Sequence, residues 1–357
     1  MRIVIVDTYY EGFQSQLYAA RPDLAELPFA QQRAELLDRF FGTADFYSRS
    51  LRALGHEAEE LAANAEPLQR RWAAEAGLSL PRRRGRALEA ILDAQVEALD
   101  PDVVYVQHMA AIPRRQLDRW RRAGRLVAGQ IAVAPPPKRL VQGYDLIVTS
   151  FPHYPERFRA LGVDSEYLPL AFEPRVLERL GPVEKRYDAV FVGGVDPKVH
   201  PEGTRLLEQV ADPLGLDVWG YGAGGLAADS PLRARWHGEL WGLDMYRVFA
   251  EARVVVNRHI EAAEGHANNM RLFEASGAGA AVVTERAPNL TELFEPGVEV
   301  ATYEGAAELQ ETVAGLLADE DRRATLARAG QERTLRDHSY AVRMAQLVKL
   351  LEPRLLR

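Results

Sequence analysis

Glu261–Thr284, EAAEGHANNMRLFEASGAGAAVVT, is the stretch that decides the fold. It follows one apolar run, Val254–Val256, and ends on another, Ala280–Val283. Between them stand Asn268 and Asn269, both N-cap types, then Met270, Arg271, Glu274 and the turn Gly277-Ala278-Gly279. The order predicts strand, polar loop, helix start, carboxylate, glycine turn, strand. A helix that begins at Asn268 or Asn269 points four free N–H groups at the loop, which favours an anion. Arg271 adds a fixed charge with planar donors suited to phosphate. A carboxylate one or two turns in can accept both hydroxyls of a ribose, as acidic residues do in nucleotide-binding α/β folds. Phe273 and Ala275 flank Glu274 and an apolar strand follows, so burial is expected there rather than a solvated helix face. The stretch reads as a cradle for a nucleotide diphosphate and its ribose.

The same strand–helix alternation runs outward from it. The chain opens on Arg2–Val6 (RIVIV), the continuous apolar pattern of a parallel strand buried on both faces. Further strands are expected at His56–Leu61, Asp102–Gln107, Arg125–Ile131, Tyr144–Thr149 and Glu166–Leu168. Helices fill the intervals, with one continuous helix over Ala30–Leu54 closed by Gly55, and residues 8–30, 108–112 and 132–143 left as loops. Pro169–Gly181 has no clear period and reads as a link. Tyr187–Val192 (YDAVFV) then starts a second α/β unit as Arg2–Val6 starts the first. Two doubly wound α/β domains follow from this pattern.

Bulk properties agree. At 357 residues the chain exceeds one ordinary core. A net charge of −7 argues against a nucleic-acid partner, although a local basic pocket for phosphates is compatible with it. With no cysteine there is no disulfide framework, thiolate metal site or catalytic thiol. No apolar run nears the ~20 residues that span a bilayer, and MRIVIVD is a strand rather than a leader, so a cytoplasmic location is expected.

Other candidates sit at predicted strand ends. Gly193-Gly194 follows a strand and Lys198 comes soon after; bare glycine backbone can approach a phosphate and the lysine supplies a point charge. The run is neither a Walker loop nor GxGxxG. His237 and Gly238, in Trp236-His237-Gly238-Glu239, can frame a nucleobase with backbone groups. Arg258 can reach a diphosphate, whereas His259 reads as an ordinary polar loop residue. Glu264, in the loop EGHANN, can face a sugar hydroxyl. Asp7, Tyr9 and His108 are expected to be neighbours in a cleft, where Asp7 or His108 can act as a general base. Neither Asp-x-Asp pair (Asp100/Asp102, Asp319/Asp321) follows a strand, and no metal site is expected.

Residues 264–340 carry a family resemblance. Asn269-x-Arg271-x-Phe273-Glu274-Ala275, Gly277-Ala278-Gly279, Ala281-Val282-Val283-Thr284, Leu293-Phe294-x-x-Gly297 and Asp337-His338-Ser339-Tyr340-x-x-Arg343 resemble the C-terminal domain of GT-B glycosyltransferases. The flavour is that of the CgeB-like branch, related to the group 1 or family 4 type. The resemblance implies two Rossmann-like domains facing across a cleft: 1–170 on the acceptor side and 171–340 holding the nucleotide sugar. It implies that the terminal helix, within 341–357, crosses back to the first domain. It makes Glu274 the ribose-binding glutamate of the family's motif and Glu264 an approximate match to the donor-sugar glutamate. Here the two lie ten residues apart, further than is typical, in EGHANN rather than an EGFG-like run. Gly193, Gly194 and Lys198 match the phosphate turn, without the arginine usual beside it; Arg258 or Arg271 is placed to compensate.

The implied activity is a metal-independent glycosyltransferase with no cofactor other than its nucleotide-diphosphate sugar donor. The acceptor is a hydroxyl of a glycan, protein or small molecule, and the glutamate pair favours retention at the anomeric carbon. Inversion would instead call on Asp7 or His108 as the base. A sugar-nucleotide epimerase on the same fold, or a non-catalytic sugar- or coat-binding protein, are the alternatives.

Overall fold

The apolar runs become parallel strands. The computed structural model describes residues 1–355. Its first sheet contains β1 (Arg2–Asp7), β2 (Glu57–Ala62), β3 (Val103–Val106), β4 (Leu126–Ile131), β5 (Leu146–Thr149) and β6 (Asp164–Tyr167). They run in the order β2-β1-β3-β4-β5-β6, every pair parallel. β3 and β5 are buried at every residue, as a sheet covered on both faces requires. The connecting helices are α1 (Glu11–Ala20), α2 (Phe29–Asp38), α3 (Phe46–Ala53), α4 (Glu66–Glu75), α5 (Arg84–Leu99), α6 (Arg114–Arg122), α7 (Lys138–Val141) and α8 (Tyr154–Ala160).

After α9 (Arg175–Leu180) the pattern restarts. The second sheet holds β7 (Tyr187–Val192), β8 (Asp217–Trp219), β9 (Ala252–Asn257), β10 (Ala281–Glu285) and β11 (Ala301–Tyr303), in the order β11-β10-β9-β7-β8 and again parallel. Its helices are α10 (Pro201–Leu214), α11 (Pro231–Arg235), α12 (Gly242–Glu251), α13 (Met270–Gly277), α14 (Leu290–Leu293), α15 (Gly305–Ala318) and α16 (Glu320–Asp337), followed by α17 (Tyr340–Leu355). Val210, Val254, Val256, Val283, Leu309, Val313 and their neighbours form one buried core between this sheet and its helices.

Two compact units result: Met1–Leu168 together with the chain from Arg343 onward, and Pro169–Val342. Arg354 ties the end of α17 to β6, its guanidinium donating to Asp164 at 2.8 Å and to Glu166 at 2.9 Å. In each sheet the winding reverses once. The chain leaves β1 for β2 on one side and returns to β3 on the other; it does the same around β7, with β8 and β9. Ligands of open α/β sheets bind at such reversals, off the carboxyl ends of the strands. No helix among the described residues is long and apolar enough to cross a membrane.

The structure corrects the element assignments in several places. Residues 8–30 are not a loop: α1 forms there on Phe13 and Leu17, its two buried anchors. The single helix expected over Ala30–Leu54 is two helices. Between them Phe40, Gly42 and Ala44 take left-handed backbone angles (φ 56°, 64° and 40°). That turn brings Thr43 to the end of β1, where its hydroxyl donates to Asp7 Oδ2 at 3.2 Å. The loop expected over 132–143 includes α7, and the link at Pro169–Gly181 includes α9. A Cβ on Gly277 would lie 2.4 Å from the Phe172 ring, so its bareness admits an aromatic side chain.

Candidate functional site

The winding reversal of the second unit lies between β7 and β9. β7 delivers Gly193-Gly194 and β9 delivers Arg258 and His259, while α13 starts nearby. The glycines are packed rather than open. A Cβ on Gly194 would meet His200 and Tyr221 at under 3 Å. The Gly193 carbonyl presses so close to Gly220 that a Cβ there would lie 1.8 Å away, and Gly220 has φ 137°. Gly220 in turn donates to the Gly238 carbonyl at 2.9 Å.

The first turn of α13 is built as the sequence predicts, with Asn269 and not Asn268 as its cap. Asn269 Oδ1 accepts from Leu272 N at 3.1 Å, and its Nδ2 donates to Asn257 Oδ1 at 2.7 Å and to the Arg258 carbonyl at 2.6 Å. One side chain thus closes the helix and ties it to the end of β9. Asn268 is buried; its backbone N–H is bonded to His259, and its Nδ2 has no hydrogen-bond partner among the described residues. Met270 is half-buried at the first helical position.

Arg271 and Glu274 form an i,i+3 ion pair. Arg271 Nε donates to the Val192 carbonyl at 3.2 Å, at the end of β7. Glu274 is only 1% exposed, and the Tyr246 hydroxyl donates to its Oε1 at 3.2 Å. The carboxylate is buried as expected, and both its oxygens are engaged by the protein. Tyr246 lies 28 residues away in sequence, on α12, and nothing local signals it.

His259 is not an ordinary loop residue. It is buried, and burial together with the adjacent Arg258 guanidinium lowers its pKa to about 3, so the ring is neutral. The Asn268 N–H donates to its Nδ1 at 3.1 Å, which leaves the ring proton on Nε2, 3.2 Å from Thr284 Oγ1. Asn257 Nδ2 also donates to that hydroxyl, at 2.8 Å, across the register Thr284↔Asn257 of β10 and β9. His259, Asn257, Thr284 and Asn269 therefore form one hydrogen-bonded frame under the start of α13.

Arg258 turns the other way, against α10. A Cβ on Gly203 would lie 2.0 Å from its Nη1, so the helix is bare where the guanidinium rests. Arg258 Nη1 donates to Glu261 Oε1 at 3.2 Å, and its Nε lies 3.6 Å from Glu285 Oε1. The second oxygen of Glu261 lies 3.6 Å from His200 Nδ1, just ahead of α10. Burial raises the pKa of Glu285. Arg271 and Arg258 are thus each paired with the chain's own carboxylates.

The remaining candidates are spread around this frame. Lys198 is exposed, and its backbone N–H donates to Asp196 Oδ1 at 2.9 Å. His237 stacks on Trp219 (ring centroids 4.6 Å apart), with its Nε2 2.6 Å from Asp217 Oδ1. His237 and Gly238 extend the edge beside β8, the His237 N–H donating to the Val218 carbonyl at 2.9 Å. Glu264 is exposed at φ 49°, ahead of Gly265 at φ 81°.

In the first unit Asp7 and His108 come together at the β1–β3 reversal, joined by Thr8. The Thr8 N–H donates to Asp7 Oδ1 at 2.7 Å, and its hydroxyl lies 2.9 Å from His108 Nδ1. Gln107 Nε2 donates to Thr43 Oγ1 at 2.8 Å, holding the hydroxyl that faces Asp7. Burial pushes the Asp7 carboxyl up to about 6, against the pull of Thr8 and Thr43. His108 is lowered by burial. Tyr9 is not part of this group. It is buried against Phe13 and Phe41, at centroid distances of 5.5 and 6.2 Å.

Residues 202–349 match the family model described as glycosyl transferase-like. Similar solved structures extend over the whole chain. Sucrose-phosphate synthase from Thermosynechococcus elongatus is 13% identical, with 99% of this chain and 100% of that one covered and a TM-score of 0.59. AviGT4, a glycosyltransferase involved in avilamycin A biosynthesis, is 16% identical, with 100% and 98% covered and a TM-score of 0.60. Anabaena Alr3699/HepE, solved in complex with UDP-glucose, is 14% identical, with 99% and 100% covered and a TM-score of 0.59. No curated protein sequence matches the chain significantly. The chain has the GT-B fold of the glycosyltransferases, with two Rossmann-like units.

Proposed function

We propose that the chain is a glycosyltransferase that moves a sugar from a nucleotide-diphosphate donor to an acceptor hydroxyl, without a metal and with retention of the anomeric configuration. The observation that carries this reading is the capped start of α13. Asn269, Arg271 and Glu274 meet the ends of β7 and β9 at the winding reversal of the second unit. The match of residues 202–349 to a glycosyl transferase-like family supports it, as does the UDP-glucose complex of HepE. The order of motifs over residues 264–340 is our ground for the CgeB-like branch, and we propose a cytoplasmic location.

In this reading the free N–H groups of α13 and the charges of Arg271, Arg258 and Lys198 stabilise the leaving diphosphate, with no cation required. Glu274 exchanges the Tyr246 hydroxyl for those of the ribose while keeping Arg271 aimed. His237 and Gly238 frame the base, and Glu264 orients the sugar. Asp7 or His108 would act as the base only if the reaction inverts. The test is a thermal-shift screen against UDP, GDP, dTDP and CMP sugars, followed by product analysis with the donor that binds. A ligand at about 100 times its Kd adds about 2.7 kcal/mol. Glu274→Gln is expected to weaken nucleotide binding; equal affinity by calorimetry would sink the ribose assignment.

A further inference from the structure

Asp7, Gln107 and Gln130 stand in one row across the first sheet. The register pairs Val6 with Val106 and Val106 with Gly129, and each of the three polar residues comes one position later in the chain. Equivalent positions of parallel strands face the same side of the sheet, with neighbouring strands about 4.8 Å apart. The row therefore crosses the carboxyl ends of β1, β3 and β4, and all three of its residues are half-buried.

The row is held by the turn at Phe40–Ala44 and by α3. Thr43 bridges Asp7 and Gln107 through its hydroxyl. Gln130 Oε1 accepts from the Tyr47 hydroxyl at 2.7 Å and from the Tyr105 hydroxyl at 2.8 Å, and both tyrosines are buried. The Gln130 amide is thus set with its oxygen inward. Its Nε2 has no acceptor among the described residues, and Gln107 Oε1 has no donor among them.

A donor, Gln130 Nε2, accordingly stands beside an acceptor, Gln107 Oε1, with the Asp7 carboxylate next in line. A hydroxyl both donates and accepts, so it can satisfy the two amides together, whereas a carboxylate or an ammonium can satisfy only one of them. Three such positions in line suit a ligand with several hydroxyls. An apolar surface is offered at the same strand end. Tyr10, three residues after Asp7, is 56% exposed, and its ring lies 5.7 Å from that of Phe41 in the turn that also carries Thr43. A sugar ring has both features, hydroxyls around its edge and an apolar face that packs on an aromatic ring. We propose that this row binds a saccharide and that Gln130 is its specificity-determining residue, donating to a ring hydroxyl that in turn donates to Gln107. That the bound saccharide is the acceptor of the transfer rests on the glycosyltransferase reading; its binding does not.

The test is an NMR titration of the full chain labelled with ¹⁵N at glutamine side chains. The Gln130 signal is the one lost in Gln130→Glu and in Gln130→Met. Glutamate keeps an oxygen for the two tyrosines and replaces the outward N–H donors with an acceptor; methionine fills the space without donating. The probes are methyl glucoside, methyl galactoside and methyl mannoside, with a peptide rich in serine and threonine for comparison. The expected result is a saturable shift of the Gln130 signal with at least one glycoside. Affinity in the two variants, followed through the Gln107 signal, is expected to fall about tenfold. No shift with any glycoside, a response to the peptide alone, or equal affinity in a folded variant would overturn the proposal. Glycoside binding with no transfer from any nucleotide sugar would support the site and count against the glycosyltransferase reading alone.

Discussion

Gly203→Ala is the most discriminating change the structure offers, because two effects of opposite sign meet in one methyl group. Gly203 is the third residue of α10, and in a helix alanine is favoured over glycine by up to about 1 kcal/mol. Considered by itself, α10 predicts a more stable protein. The new Cβ, however, would lie 2.0 Å from Arg258 Nη1, 2.7 Å from its Cζ and 2.8 Å from its Cδ. The whole side chain must move, not just its tip. It is 11% exposed and held by Glu261 and Glu285, so displacement sacrifices a charge-assisted hydrogen bond worth about 1.5–3 kcal/mol. The net expectation is a destabilisation of about 1–2 kcal/mol. If Arg258 also holds a diphosphate, nucleotide affinity falls about tenfold or more, since every 1.4 kcal/mol is a factor of ten. Chemical unfolding and calorimetric titration with the nucleotide that binds the wild type measure both. A variant more stable than wild type and with unchanged affinity would refute the placement of Arg258 against α10.

Three further expectations follow from other contacts. Asn269→Ala removes a cap worth about 1 kcal/mol and leaves Asn257 Oδ1 and the Arg258 carbonyl without a donor, for a total of about 2–4 kcal/mol; Asn269→Ser keeps the cap and should recover only the first part on unfolding. His259 is neutral in the fold with a pKa lowered to about 3, so the native state binds fewer protons than the unfolded one and stability is lost as pH falls from about 6.5 toward 3, by up to about 5 kcal/mol; His259→Gln should flatten that acid limb in a pH series of unfolding curves. Asp7 must be ionised to accept a proton, so a role as base predicts a turnover that rises with pH through about 6 and is absent in Asp7→Asn.

Local pattern carried the strands, because a continuous apolar run such as Val254–Val256 has few alternatives to a buried parallel strand. It carried the cap of α13, which acts within one turn of helix, and the burial of Glu274, but not the pairing of Arg271 with that carboxylate. It missed the break at Phe40–Ala44 because Phe40 and Phe41 continue the helical spacing of Leu36 and Leu37. The left-handed turn there is held by Thr43 against Asp7 and Gln107, partners 36 and 64 residues away. The frame under α13 was hidden on the same grounds. Asn257, His259 and Thr284 are unremarkable singly and become a unit only through the register of β9 on β10. Gly203 likewise reads as a poor helix residue until Arg258 is seen beside it.

The return of the chain from Arg343 onward to the first unit has a consequence for synthesis. On the ribosome, Met1–Leu168 emerges first yet lacks Arg354, whose bonds to Asp164 and Glu166 secure the edge strand. The inserted unit, Pro169–Val342, is contiguous and can finish folding while its predecessor waits for Arg354 to emerge. A truncation shortly before Arg354 should therefore leave the nucleotide-side unit able to fold and the half that was translated earliest the one that is frayed.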